Sequence, residues 1–145
     1  MSAFADIQTK LLAALVATPA LASGNVSLNR LRPIPATQNT AIVLRLTNTR
    51  ANQEIIGSLD WLTTYAVECY ARAAAGGEPS AAIDALLVDV WSRLAAINYA
   101  TLGASIDIDP AIEWQFDDVD TPVACATFHL TAHHGTDSTT LNTPT

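Results

Sequence analysis

Three histidines sit close together near the end of this chain: His129, His133 and His134, with Asp137 shortly after. On an extended segment, residues an even number apart share a face, so His129 and His133 would lie on one side of a strand, and with Asp137 in the tail beyond it a surface metal site is conceivable. Zinc takes three or four ligands converging at near-tetrahedral geometry. A single row on one strand does not supply that, and no second ligand cluster exists elsewhere to complete it. The expectation is therefore a solvated strand end and no metal.

An acidic run follows the same logic. Asp107, Asp109, Glu113, Asp117, Asp118 and Asp120 lack the glycine and the ligand spacing of a calcium loop. Paired carboxylates can hydrolyse glycosides, but only across a cleft, and Trp114 is the one aromatic beside them that a pocket would use. The reading is an acidic rim at Asp117, Asp118 and Asp120. Lining a channel, such a rim would repel DNA and let it pass without sticking. Phosphate-cradling glycine loops and the serine nucleophile elbow are both missing from the sequence. No catalytic residue and no cofactor are expected. Cys69 and Cys125 are too far apart for a metal knuckle and read as two buried thiols, with a disulfide open if their strands are neighbours.

The elements that must position these groups are legible from periodicity. Trp61, Thr63, Tyr65, Val67, Cys69 and Ala71 alternate with Leu62, Thr64, Ala66, Glu68, Tyr70 and Arg72, which predicts a long strand over 61–73 with one apolar and one mixed face. Leu62 and Tyr70 on the mixed face predict that it, too, meets something. Phe4, Ile7, Leu11 and Leu15 predict a helix over 3–17 with Ser2 as N-cap. Ile83, Leu86, Leu87, Val90, Trp91, Leu94 and Ile97 predict a second amphipathic helix, opened by Pro79 in its first turn. Asp84 and Arg93 sit near the ends of that helix that favour them.

Between these lie a strand at Ala41–Asn48, a loop at Thr49–Ser58 and a short extended edge piece at Arg30–Pro35. Ile106–Ile108 is a short strand. A hairpin joins Ala111–Phe116 to Pro122–His134 through an acidic turn. The whole reads as one α+β domain over 1–134: a twisted, mostly antiparallel sheet packed by an N-terminal helix and a second amphipathic helix. A polar tail, 135–145, is expected to be held by a neighbouring subunit.

With 145 residues and half of them hydrophobic, the chain has enough apolar side chains for one core. It has no run of about 20 apolar residues for a membrane span, and no membrane partner is expected. Leu11–Val16 followed by Thr18–Ser23 has the outline of a signal peptide. Asp6 at the position of the basic region and the helical spacing from Phe4 onward argue against export. Charge is polarised along the chain. Residues 1–72 carry six basic groups and four acids, net +2; residues 73–145 carry one arginine and ten acids, net −9; the two sum to −7. Unlike faces favour head-to-tail contact between identical subunits, so Arg45, Arg50 and Arg72, with Glu68 and Tyr70, are the candidate subunit-interface residues. An acidic chain is poorly suited to tight nucleic-acid binding, which needs Lys and Arg on the phosphates.

The order of these elements resembles the tail terminator, or tail completion, proteins of long-tailed bacteriophages. The resemblance rests on Ala3–Val16, on Trp61–Ala73 with its Tyr-x-Val-x-Cys-Tyr-Ala-Arg run, on Pro79–Ile97 and on Ile112–His134, a match of pattern spanning about residues 2–134. It implies an α+β subunit of a homo-hexameric ring that sits on the last ring of the tail tube. Such a ring stops tube polymerisation, presents a surface to head-neck connector proteins and passes DNA through its lumen without catalysing a reaction. The implied location is the virion, at the tail-neck junction, after assembly in the bacterial cytoplasm. Competing readings are a neck or head-completion connector and, from a different class, a small bacterial ligand-binding domain or enzyme. A ring subunit should bury large self-interfaces; an enzyme should show a concave site with converging ionisable side chains.

Overall fold

The computed structural model describes residues 2–29, 37–52, 56–73, 78–117 and 123–143. Helix α1 (Ala3–Val16) begins where Ser2 caps it, the Ser2 Oγ accepting from the Ala5 N–H at 3.3 Å. Its buried stripe is Ala3, Ile7, Gln8, Leu11 and Leu15. Strands β1 (Val26–Leu28), β2 (Thr40–Asn52) and β3 (Ser58–Arg72) follow. Helix α2 (Ser80–Ala95) buries Ile83, Leu86, Leu87, Val90 and Leu94. Strands β4 (Ala104–Ile108), β5 (Glu113–Asp117) and β6 (Val123–Asp137) complete the chain.

The six strands form one sheet in the order β1-β2-β3-β6, with β4 and β5 sharing the outer side of β6. Only β1 and β2 run parallel; every other pairing is antiparallel. The fold is α+β, with a mostly antiparallel sheet and an N-terminal helix. Chain geometry explains the split outer edge. β4 pairs with residues 130–134 and β5 with residues 123–127. Between them the Asp109 N–H donates to the His129 carbonyl at 2.9 Å, after which Pro110, lacking an N–H, interrupts the ladder.

Both helices lie on one face of the sheet. Ile42, Leu44, Tyr65, Val67, Cys69, Ala71, Ala124, Ala126, Phe128, Leu130 and Ala132 point to that side and pack with Ile7, Leu11, Leu15, Ile83, Val90 and Leu94 in one core. Trp91 of α2 rests on Phe128, ring centroids 5.0 Å apart. Alternation along β3 therefore divides as its sequence predicts, Tyr65, Val67, Cys69 and Ala71 turning inward. The two helices are tied by Arg93. Its guanidinium leaves its own helix axis and donates to the carbonyls of Ala17 at 2.9 Å and Pro19 at 2.8 Å, beyond the last turn of α1. Arg93 thus serves the end of α1 as much as the negative end of α2.

Several expectations need correction. Thr49–Ser58 is not a loop: β2 continues to Asn52 and β3 begins at Ser58, with Ile56 and Gly57 in the turn. Gly57 has a φ of 93°, a conformation that glycine adopts without Cβ strain. The polar side chains misled because this end of the sheet is solvated. Thr49 shares a hydrogen bond of 3.0 Å with Thr63 across the pair, so β-branched polar residues do there what apolar ones do in the core. A register shift between Leu46 and Asn48 breaks the alternation further.

β6 also runs past His134 to Asp137. The polar tail is bonded within its own chain. The Ala3 N–H donates to the Leu141 carbonyl at 2.7 Å, and the Thr143 hydroxyl donates to the Asp6 carboxylate at 2.7 Å. Pro79 precedes the second helix as its N-cap instead of opening its first turn. The edge strand is Val26–Leu28; the extended piece expected at Arg30–Pro35 and the acidic turn after Asp117 lie outside the described residues. Cys69 and Cys125 are free and buried. Their strands are neighbours, but Cys69 pairs with Ala126 and Cys125 with Tyr70. The two thiols therefore project from opposite faces of the sheet, and no disulfide can join them.

Candidate assembly surfaces

The helix-free face of the sheet is built by the alternate residues of β2, β3 and β6. Val43 faces Glu68 and Arg45 faces Ala66 across the β2–β3 ladder, which places Arg45 diagonally from Glu68. The Arg45 Nε meets Glu68 Oε1 at 2.6 Å, and the Tyr70 hydroxyl donates to Glu68 Oε2 at 2.6 Å. Both carboxylate oxygens are therefore engaged within the subunit. The Glu68 side chain is only 16% exposed and that of Arg45 30%. The hydrogen bond that Arg45 donates to the Glu68 carboxylate raises the Arg45 pKa above its ordinary value. Burial raises that of Tyr70, helped by its bond to the Glu68 carboxylate. Val43, Ala66 and Cys125 are buried on this same face.

The five candidate interface residues thus separate into groups. Arg45, Glu68 and Tyr70 converge, but on one another. Arg72 donates from Nε to the Gln38 carbonyl at 3.2 Å. Arg50 lies at the opposite end of the face, exposed, its backbone opposite Leu62. It borders an open groove of about 480 Å³ lined also by Ala51, Asp60, Trp61, Leu62 and His133. Gly135 faces Asp60 across the ladder and contributes to an adjoining hollow.

The histidines divide by parity. His129 and His133 share the helix-free face, and His133 Nε2 lies 3.5 Å from the Asp107 carboxylate, both side chains well exposed. Among the described residues, no group of three or more His, Cys, Asp or Glu side chains is placed to hold a metal ion. His134 turns the other way and is 5% exposed. Its Nε2 shares a 2.8 Å hydrogen bond with the Thr63 hydroxyl, and Phe4 of α1 meets its ring edge-on at 5.2 Å. Its Nδ1 has no hydrogen-bond partner among the described residues. Desolvation lowers its pKa, favouring the neutral ring. Phe4 also meets Trp61 edge-on at 5.1 Å, while the Trp61 indole donates to Thr136 at 2.8 Å. Sequence reading missed this cluster because it ended the strand at His134; the parity of Trp61 and Thr63 was the available signal.

Of the acidic stretch, Asp107 lies on β4 and Glu113 and Asp117 on β5, along the outer side of the sheet. Asp117 closes β5, while Asp118 and Asp120 lie outside the described residues. Exposed Trp114 and Phe116 interrupt the acids there. Residues 104–122, which include β4 and β5, hold six acids and no Lys or Arg. Residues 17–52, which include β1 and β2 at the opposite edge, hold four arginines and no acid. Among the described strands, β2 carries Arg45 and Arg50 without an acid, and β4 and β5 carry Asp107, Glu113 and Asp117 without a base, so this part of the charge division falls across the sheet.

The chain matches no protein-family model and no curated protein sequence.

Proposed function

We propose that this chain is a structural subunit of a bacteriophage tail, acting as a tail terminator: copies close into a six-membered ring that caps the tail tube, stops its growth and receives the head-neck proteins. The pattern of elements that resembles that family motivates the reading. The observation that carries it is the unlike charge of the two sides of the sheet: β2 holds Arg45 and Arg50 and no acid, while β4 and β5 hold Asp107, Glu113 and Asp117 and no base. A molecule with unlike ends associates head to tail, and a head-to-tail contact closes into a ring when its rotation divides the circle. The helix-free face supports the same reading. Its Arg45–Glu68–Tyr70 network is internally satisfied, so it offers a firm, half-polar surface without unpaired buried charge.

Termination is then geometric. One rim of the ring complements the tube end and the other does not repeat the tube's own surface. No step of this function breaks or forms a covalent bond. The test is tube polymerisation with and without the protein. Capped tubes of limited length are expected in its presence, and continued elongation at the same rate would overturn the reading.

A further inference from the structure

The two outermost strands, β1 and β5, stand at the same height on opposite edges of the sheet. One ladder row runs Val26, Ile42, Cys69, Ala126, Trp114, and the next runs Ser27, Val43, Glu68, Thr127, Glu113. Following the pairings, β1 runs with β2, β3 runs against them, β6 with them, and β5 against them. β5 of one copy laid beside β1 of another would therefore be antiparallel, and level with it. Level edges add no rise from one copy to the next, which a closed ring requires.

Neither edge has a strand beyond it among the described residues. Glu113, Trp114, Gln115 and Phe116 are all exposed, as is Leu28 at 38%. An exposed edge with apolar side chains is a template for another strand unless something covers it. Trp114 and Phe116 point to the helix side, since they pair with Ala126 and Ala124; Val26 and Leu28 point there too, beside Ile42 and Leu44. Apolar side chains would meet apolar ones on one face. On the other, Glu113 would face Ser27 on the edge of the acid-free β1–β2 pair, where Arg45 lies two residues along β2 from Val43, the partner of Ser27.

We infer that the β5 edge of one subunit pairs, antiparallel, with the β1 edge of a second copy, Ser27 opposite Glu113 and Val26 opposite Trp114, making one sheet continuous between subunits. This rests on the ring reading for its partner and adds the strands and their register.

Cysteine cross-linking tests it. Ser27→Cys and Glu113→Cys are introduced singly and together in a Cys125→Ala background of the full chain, with circular dichroism to establish folding. Cys69 is fully buried, with its thiol pKa pushed up to about 12 by desolvation, and stays unreactive. Mild oxidation of the double variant should yield a ladder of covalent dimers, trimers and higher species. A mixture of the two single variants should stop at dimers, and each alone should stay monomeric. Adding Phe116→Glu to the double variant should reduce the ladder at least tenfold. A folded double variant that stays monomeric, or a single variant that dimerises alone, would overturn the inference. Tube termination separates the two claims. Full capping activity by a chain that gives no ladder leaves the ring reading standing and removes this interface. A ladder from a chain that never limits tube length does the reverse.

Discussion

Glu68 shows how a half-buried charge is kept. It sits on a face with no helix over it, yet it is mostly shielded, and Arg45 and Tyr70 occupy its two oxygens. Exposed pairs contribute below about 1 kcal/mol and losing one partner of a buried pair costs about 3–5 kcal/mol, so Glu68→Gln should cost about 1–2 kcal/mol. Urea denaturation measures this, and a double-mutant cycle with Arg45→Met should return a favourable coupling. His134 makes a different prediction. Its folded pKa lies below the unfolded value of about 6.5, so the unfolded chain binds the extra proton. The neutral ring's contribution is fully present above about pH 6.5 and is lost as pH falls below it. Thermal melts should show stability dropping from pH 7 to pH 5, and His134→Gln should flatten that slope. The buried thiols of Cys69 and Cys125 were readable as residues, since free cysteine behaves as a small hydrophobe. Their placement on opposite faces was not, because it depends on the register between β3 and β6.

At the level of elements, the parts with a strong apolar period were the legible ones. The stripes of α1 and α2 and the alternation of β3 each reflect burial on a single face. Where β2 itself is exposed on both sides, as at Thr49–Ala51, hydrophobic period vanishes and only cross-strand pairing marks the strand. The tail was misassigned for the same reason: Gly135, Thr136 and Asp137 carry no apolar signal, yet they pair with β3. Arg93 is the clearest inter-element tie. Hydrogen bonds to charged groups contribute about 1.5–3 kcal/mol when buried, and this side chain is half-buried, so Arg93→Met should cost about 1–2 kcal/mol, measured by denaturation. Phe128→Ala should cost more, about 3–5 kcal/mol, because it empties the space beneath Trp91. Of the candidate interface, composition located the charged side chains. It could not tell that Arg45 and Glu68 would engage each other, since that follows from a diagonal across two strands.

On the scale of the whole molecule, the sheet converts a linear charge division into two unlike edges. The proposed ring uses this: Arg45 and Arg50 on β2 and Asp107, Glu113 and Asp117 on β4 and β5 lie on opposite sides of one sheet, and unlike sides favour contact between copies. Association driven this way should weaken with salt, since exposed charges are screened over about 3 Å at 1 M ionic strength. Light scattering at low and high salt reads that directly, with the larger mass expected at low salt. The most direct measurement of the central claim is electron microscopy of tail tubes assembled with this protein. The account predicts one six-subunit ring seated at the tube end, its subunits joined edge to edge. Bare ends on tubes that keep lengthening, with the protein left free in solution, would contradict it.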